Sequence, residues 1–561
     1  MTANERYLTW LSDSCLDENT RKELEGIKDD AKQIEDRFYK DLEFGTGGLR
    51  GVLGAGTNRM NIYTVRRAAA GLAEQLLEEC PDAKEKGVAI AHDSRILSRE
   101  FAVDSALVMA EKGIPAYLFD ELRPTPELSF AIKHLGCVAG IVVTASHNPA
   151  QYNGFKAYGR DGGQITPNTA DQVLARMAQI DPIRVSLMDE KEAKEKGLLK
   201  IIGSEVDNAY IDHVLSLRPD PDLLTRTGVK LKIVYTPLHG AGNKLVRAAL
   251  KRAGYEDVTV VKEQEAPDGN FPTVASPNPE NSEAFEIAIK YADEIEADVI
   301  VGTDPDSDRM GMMLKKDGKW IPVSGNQAGC LMLEYILAAK KPAPGSGAYA
   351  VTTIVSTRLV DAIAKKYGAE IKRVLTGFKF IGEVIDNQEK AGNNGFLLGF
   401  EESYGYLTGG YIRDKDAVIA SLLACELAAY FKSQGKSLFD ALEAMYKEYG
   451  YAAEKTISVT MPGVDGMAKR EKVTADLRAC PPSEIGGRKV LEALDFKQGG
   501  VMGLPKADVL LYKLENDAWV CVRPSGTEPK LKIYAGVLED SAEKASEQVQ
   551  LLSKAAAAFG N

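Results

Sequence analysis

A serine, an imidazole and a lysine stand close together in this chain. Ser146 and His147 lie in Thr144-Ala-Ser-His-Asn-Pro149, and Lys156 ends the following Asn153-Gly-Phe-Lys156. A serine with such neighbours is equipped to be either an acyl nucleophile or a phosphate carrier. A second cluster, Thr303-Asp-Pro-Asp-Ser-Asp-Arg309, decides between the two. Asp304, Asp306 and Asp308 alternate along the chain, and carboxylates so close repel one another unless a cation lies between them. An all-oxygen ligand set of this kind suits a hard divalent ion such as Mg2+. Serine, metal loop and basic side chains together are the equipment of phosphoryl transfer.

Both clusters follow apolar runs that read as buried strands, Gly140–Val143 and Ala297–Val301, so both are expected on loops at strand ends. Asn148-Pro149 forces a turn directly after the serine. The same layout of three short β-rich runs occurs three times. The first copy is Val88–His92, Ala116–Phe119 and Gly140–Val143; the second is Leu231–Tyr235, Val258–Val261 and Val299–Val301. The third is Tyr349–Ile354, Ile371–Val374 and Phe396–Leu398. In each copy a segment of helical period joins the first two runs: Phe101–Lys112, Asn243–Ala253 and Thr357–Lys366. Alternating strands and helices predict three similar α/β domains with mainly parallel sheets covered by helices. The loops after the third strands hold Ser146, then Asp304–Asp308, then Glu401–Ser403, at the ends where open α/β sheets place ligands. One shared cleft is the expectation. Past about Tyr451 the layout stops, and runs such as Lys455–Thr460 and Leu510–Leu514 with a final helix over Ser541–Phe559 predict a smaller α+β domain. The expected boundaries are 1–205 (with a helical N-terminal extension over about 1–42), 206–324, 325–450 and 451–561.

Four motifs in this order resemble the α-D-phosphohexomutases, the family of phosphoglucomutases and phosphomannomutases. Besides Thr144–Pro149 and Asp304–Arg309, Glu401-Glu-Ser-Tyr-Gly405 is similar to the family's sugar-binding loop. Arg523-Pro-Ser-Gly-Thr-Glu-Pro-Lys530 is similar to its phosphate-binding loop. The resemblance implies that Ser146 carries a phosphoryl group and that Lys156 is the general acid/base beside it. Desolvation next to other cations would then lower the lysine pKa. It implies metal ligation by Ser146, Asp304, Asp306 and Asp308, and an approach of Arg50 and Arg309 to the reacting phosphate. His147 either holds the loop by hydrogen bonds or touches phosphate. Glu401, Ser403 and Lys379 are matched to sugar or phosphate contacts, and Arg523, Ser525, Gly526 and Thr527 to a phosphate clamp. Pro305 stands where many members have Gly, without loss of a ligand. Tyr404-Gly405 replaces the Gly-His of members that also accept mannose, which favours glucomutase chemistry. That chemistry interconverts glucose 1-phosphate and glucose 6-phosphate through glucose 1,6-bisphosphate, with Mg2+ as cofactor. Phosphomannomutase, phosphopentomutase and a non-catalytic sugar-phosphate sensor are the alternatives; the intact chemical set argues against the last.

The rest of the chain sets bounds. A net charge of −12 disfavours nucleic acid or an anionic membrane as partner, so a sugar phosphate must be held by local basic groups. Seven scattered cysteines without a C-x-x-C pair fit reduced thiols, with Cys330 and Cys425 in apolar, core-like runs. No signal peptide and no apolar run long enough for a span is seen, so a cytoplasmic monomer or homodimer is expected. Gly240-Ala-Gly242 after a strand lacks the third glycine of a dinucleotide loop, and His239 beside it reads as structural.

Overall fold

Thr2, Asp17 and Asp30 each precede a run of helix formers, and each side chain accepts hydrogen bonds from the first turn of a helix: Ala3–Ser12, Glu18–Gly26 and Ala31–Phe38. These helices are too short to persist alone. They are held by an aromatic cluster in which Trp10 meets Phe38 and Tyr63 edge-on, with ring centroids 5.8 and 5.4 Å apart. Tyr63 belongs to the helix Ile62–Glu79 of the first α/β domain, so the N-terminal extension packs on that domain as expected. The computed structural model describes residues 1–45, 47–343, 345–461, 464–524 and 530–560. Ser525, Gly526 and Thr527 lie outside the described residues.

The chain forms two compact units, one of residues 1–323 with 405–430, the other of 324–404 with 431–561. The first unit holds two mixed sheets. In the first, the strands run in the order Gly48–Val52, Tyr152–Gly159, Ala139–Val143, Val88–His92, Ala116–Phe119, Leu199–Ile202. The last four pair in parallel, and the first two are added antiparallel. In the second sheet Val299–Thr303, Ile233–Thr236 and Val258–Val260 are parallel, and Met310–Lys316 and Lys319–Val323 extend it antiparallel.

In the second unit Phe396–Phe400, Tyr349–Thr353 and Glu370–Val374 pair in parallel. All three parallel triplets have one order: the first strand is central, with the third on one side and the second on the other. A six-stranded antiparallel sheet from Tyr451–Thr460 to Glu484–Ile485 closes the chain, packed by the helix Ala542–Ala557. The α+β ending is therefore present. The antiparallel additions were not anticipated, because Tyr152–Gly159 contains Asn and two Gly and reads as a loop. All seven cysteines are unpaired, and Cys330 and Cys425 are buried.

The Gly240-Ala-Gly242 turn has a packing reason. A methyl group on Gly240 would lie 2.5 Å from Pro305 Cα and 2.8 Å from its carbonyl oxygen, and Ala241 N–H donates to that oxygen at 2.8 Å. The glycine lets this turn press on the acidic loop. His239 is structural, bonded through Nδ1 to the Ala266 carbonyl at 3.1 Å and through Nε2 to Thr273 Oγ1 at 2.9 Å. Gly240→Ala should cost about 1–3 kcal/mol through overpacking. Calorimetry should show a lower unfolding temperature; an unchanged one would mean the two loops are not in this contact.

Candidate active site

Ser146 follows the strand Ala139–Val143 by three residues and has a left-handed backbone, φ 53°. This is unusual for a residue with a side chain and is kept only where the surroundings over-determine it. Here they do. Ser146 N–H donates to Thr144 Oγ1 at 2.8 Å, and Thr144 Oγ1 donates to Asp93 at 2.6 Å. Arg95, fully buried against Asp93 with Nε 3.3 Å from its carboxylate, donates to the carbonyls of Ser146 (2.5 Å), Asn148, Pro149 (3.0 Å) and Tyr152 (3.0 Å). One guanidinium thus ties the whole turn, which a lysine cannot do.

The acidic loop meets this serine directly. Ser146 Oγ donates to Asp304 Oδ2 at 2.8 Å and lies 3.3 Å from His147 Nδ1. Asp304 Oδ1 accepts the backbone N–H groups of Asp308 (3.0 Å) and Arg309 (2.9 Å). Lys156 Nζ bonds Asp306 Oδ2 at 2.8 Å and lies 3.5 Å from Asp308 Oδ2. Lys156 is on the strand Tyr152–Gly159, opposite Gly48 of the strand that carries Arg50. The expectation of a lysine among cations is therefore corrected: its nearest partners are carboxylates. Arg50 reaches Asn148 at 3.4 Å, and Arg309 pairs with Glu280 and approaches Asp308 at 3.9 Å.

Three buried carboxylates in one place are electrostatically expensive. Burial, and then the charges of Asp306 and Asp308, raise Asp304 well above the usual carboxylate range. Against the cost of its own burial, the Lys156 ammonium holds Asp306 below it. Desolvation, and then Arg309 and Arg50, push His147 well below its ordinary value, so its ring is neutral. One carboxylate oxygen from each of Asp304, Asp306 and Asp308 lies within 4.8 Å of the others. Among the described residues, Asp306 Oδ1 and Asp308 Oδ1 are buried without hydrogen-bond partners. An oxygen-lined group with orphaned acceptors fits a divalent cation.

Lys415 was missed from sequence. Its Nζ bonds Asp308 Oδ2 at 2.7 Å and Asp414 at 3.4 Å, and against burial those two carboxylates raise its pKa. Asp416, next in sequence, caps the helix Ala417–Ser433 through Val418 N–H at 2.7 Å and accepts from Tyr210 at 2.7 Å. The signal was the charged run Arg413-Asp-Lys-Asp416 heading an almost wholly apolar helix.

In the second unit Glu401 accepts the Gly377 N–H at 2.7 Å, which fixes the start of the helix Phe378–Lys390 bearing Lys379. Burial lowers the Lys379 pKa. Arg523 donates to Thr376 Oγ1, so Glu401, Lys379 and Arg523 come together around Thr376-Gly377. Ser403 is half-buried in the turn after Glu401. Glu402 accepts from Thr353 at 3.1 Å; burial and then Glu401 raise it to about 7.

Comparison with known proteins places this fold and site in context. The chain matches the phosphoglucomutase/phosphomannomutase models for α/β/α domains I, II and III over residues 41–184, 208–318 and 324–449, and for the C-terminal domain over 488–554. A phosphoglucomutase of Staphylococcus saprophyticus is 35% identical over 91% of this chain and 93% of its own length. One of Staphylococcus epidermidis is 35% identical over 95% and 97%. Two solved structures share the fold. They are the Paramecium parafusin phosphoglucomutase in an open form (TM-score 0.70, 17% identity, 93% and 96% covered) and a phosphoglucomutase/phosphomannomutase family protein of Burkholderia thailandensis (0.67, 18%, 92% and 97%). The chain belongs to the phosphoglucomutase/phosphomannomutase family, as its four motifs had implied.

The raised Glu402 pKa sets a pH dependence. A carboxyl whose folded pKa lies above its unfolded value stabilises the fold fully below the unfolded pKa, and that stability is lost as pH rises through about 7. Glu402→Gln should flatten the fall in unfolding temperature between about pH 4.5 and 7. An unaltered slope in the variant would assign the titration to another group.

Proposed function

We propose that this chain is a phosphoglucomutase that interconverts glucose 1-phosphate and glucose 6-phosphate, an isomerase acting by intramolecular phosphoryl transfer. The observation that carries the reading is the 2.8 Å bond from Ser146 Oγ to Asp304, a serine held in a strained turn against a carboxylate cluster. In this reading phosphorylated Ser146 meets a free hydroxyl of the bound sugar phosphate. The hydroxyl oxygen bonds to phosphorus as the bond from phosphorus to Ser146 Oγ breaks, and Lys156, an ammonium at rest, gives a proton to the departing Oγ and takes up the one the hydroxyl releases. The resulting glucose 1,6-bisphosphate returns its other phosphate to Ser146, and the oxygen left behind regains a proton.

Asp304, Asp306, Asp308 and the oxygen on Ser146 would hold Mg2+, which supplies charge compensation to the transferring group. Arg50 and Arg309 are assigned to that group, and neutral His147 to holding the serine loop or touching phosphate. Glu401, Ser403 and Lys379 are assigned to the sugar phosphate, with Arg523, Ser525, Gly526 and Thr527 to the phosphate not being transferred. The working domains are 1–205, 206–324, 325–450 and 451–561. Among the described residues no helix is long and apolar enough to cross a membrane.

Ser146→Ala should keep the fold yet lose at least ~4 kcal/mol of transition-state stabilisation, roughly a thousandfold in rate. A coupled assay on glucose, mannose and ribose 1-phosphates should favour glucose, and intact mass should show one phosphate that the variant lacks. Near-normal turnover by the folded variant would remove the phosphoserine route. A chelator should stop turnover and Mg2+ restore it, with Asp306→Asn weakening both metal uptake and rate; full activity in chelator would make the acidic loop purely structural.

A further inference from the structure

We infer that Thr125 is a positioning residue for the metal loop, which it clamps so that Asp306 offers a cation one oxygen only. Thr125 is the first residue of the helix Thr125–Leu135, where backbone N–H groups lack partners within the helix. Its N–H donates to the Asp306 carbonyl at 2.9 Å, and its hydroxyl donates to Asp306 Oδ2 at 3.0 Å. Lys156 takes the same Oδ2 at 2.8 Å. That oxygen is therefore occupied twice from the first α/β domain, and the orphaned Oδ1 is the one left for a cation. Thr125 is itself fully buried.

The clamp is anchored from behind. Arg123, two residues earlier and fully buried, donates through Nε to Asp207 at 2.7 Å, and its N–H donates to the His92 carbonyl at 3.0 Å. Lys244, on the helix Gly242–Arg252 of the second domain, reaches Asp207 at 3.1 Å. Arg123-Pro124-Thr125 is thus fixed at one end to both domains and at the other to the acidic loop. Pro124 and Pro126 keep the segment between them stiff. A side chain that orients a ligand without touching the metal commonly changes metal affinity by about 10- to 100-fold when it is lost.

The inference rests on the reading that the acidic loop holds a divalent cation, and the test separates the two. Mn2+ uptake by the full-length dephosphorylated protein is followed by the loss of free-ion electron paramagnetic resonance signal. Thr125→Val keeps the side-chain shape without the hydroxyl and should weaken uptake by about 10-fold or more. Thr125→Ser should restore it. In turnover the Val variant should lose kcat while KM for the sugar phosphate stays near wild type. Equal Mn2+ affinity in wild type and Thr125→Val overturns the assignment, as does a Ser variant no better than Val, since the methyl packing would then be what counts. A wild-type protein that takes up no Mn2+ overturns both this assignment and the metal reading.

Discussion

Three carboxylates held out of water within a few ångströms of one another are the constraint around which the first unit is organised. Asp304, Asp306 and Asp308 repel one another, and each must be offset locally because the protein as a whole is also negative. The offsets come from every side. Backbone N–H groups serve Asp304, Lys156 and Thr125 serve Asp306, and Lys415 serves Asp308. None of these groups is adjacent to the loop in sequence except the two backbone donors. The fold therefore has to deliver them, and it does so from a strand, a helix start and the segment before Ala417. Among the described residues it leaves one oxygen each on Asp306 and Asp308 without a hydrogen bond.

The three parallel triplets share one strand order, and the loop after the third strand carries different chemical groups in each. A further likeness lies in the backbone. Each loop has one residue other than glycine in the left-handed region: Ser146 at φ 53°, Ser307 at 51° and Tyr404 at 66°. The same bend occurs in a different side-chain setting in each loop. Local strain of this kind costs on the order of 1–3 kcal/mol per residue. In the first two loops buried hydrogen bonds and the press of Gly240 on Pro305 hold the bend in place.

Much of this was legible because strand-end loops carry dense chemistry in few residues. Gly140–Val143, Val299–Val301 and Phe396–Leu398 announced themselves by apolar runs, and the loops of Ser146, of Asp304–Asp308 and of Glu401–Ser403 followed directly. What escaped has physical reasons. The strand Tyr152–Gly159 is flanked on both sides by other strands, so Gly154 can tolerate close carbonyls at a position that breaks any β-pattern in the sequence. Arg95, Thr125 and Lys415 act through contacts between residues far apart in the chain, and a lone arginine after a strand looks like any surface cation. Only its burial against Asp93 distinguishes it. Arg50 and Lys156 were found through motif likeness, although their placement on paired strands rather than flexible turns was not.

The first unit is not a continuous stretch of chain. It takes residues 405–430 as well as 1–323, and the inserted residues 324–404 belong to the other unit. A ribosome releasing the chain N-terminus first at about 5–20 residues per second must make the whole third sheet before Lys415 exists. Until then Asp308 lacks the closer of its two ammonium partners and Tyr210 lacks Asp416. The nascent first unit thus spends several seconds with Asp308 served by Lys156 at 3.5 Å and Arg309 at 3.9 Å but not by the closer Lys415, an interval in which a cation from solution can add counter-charge.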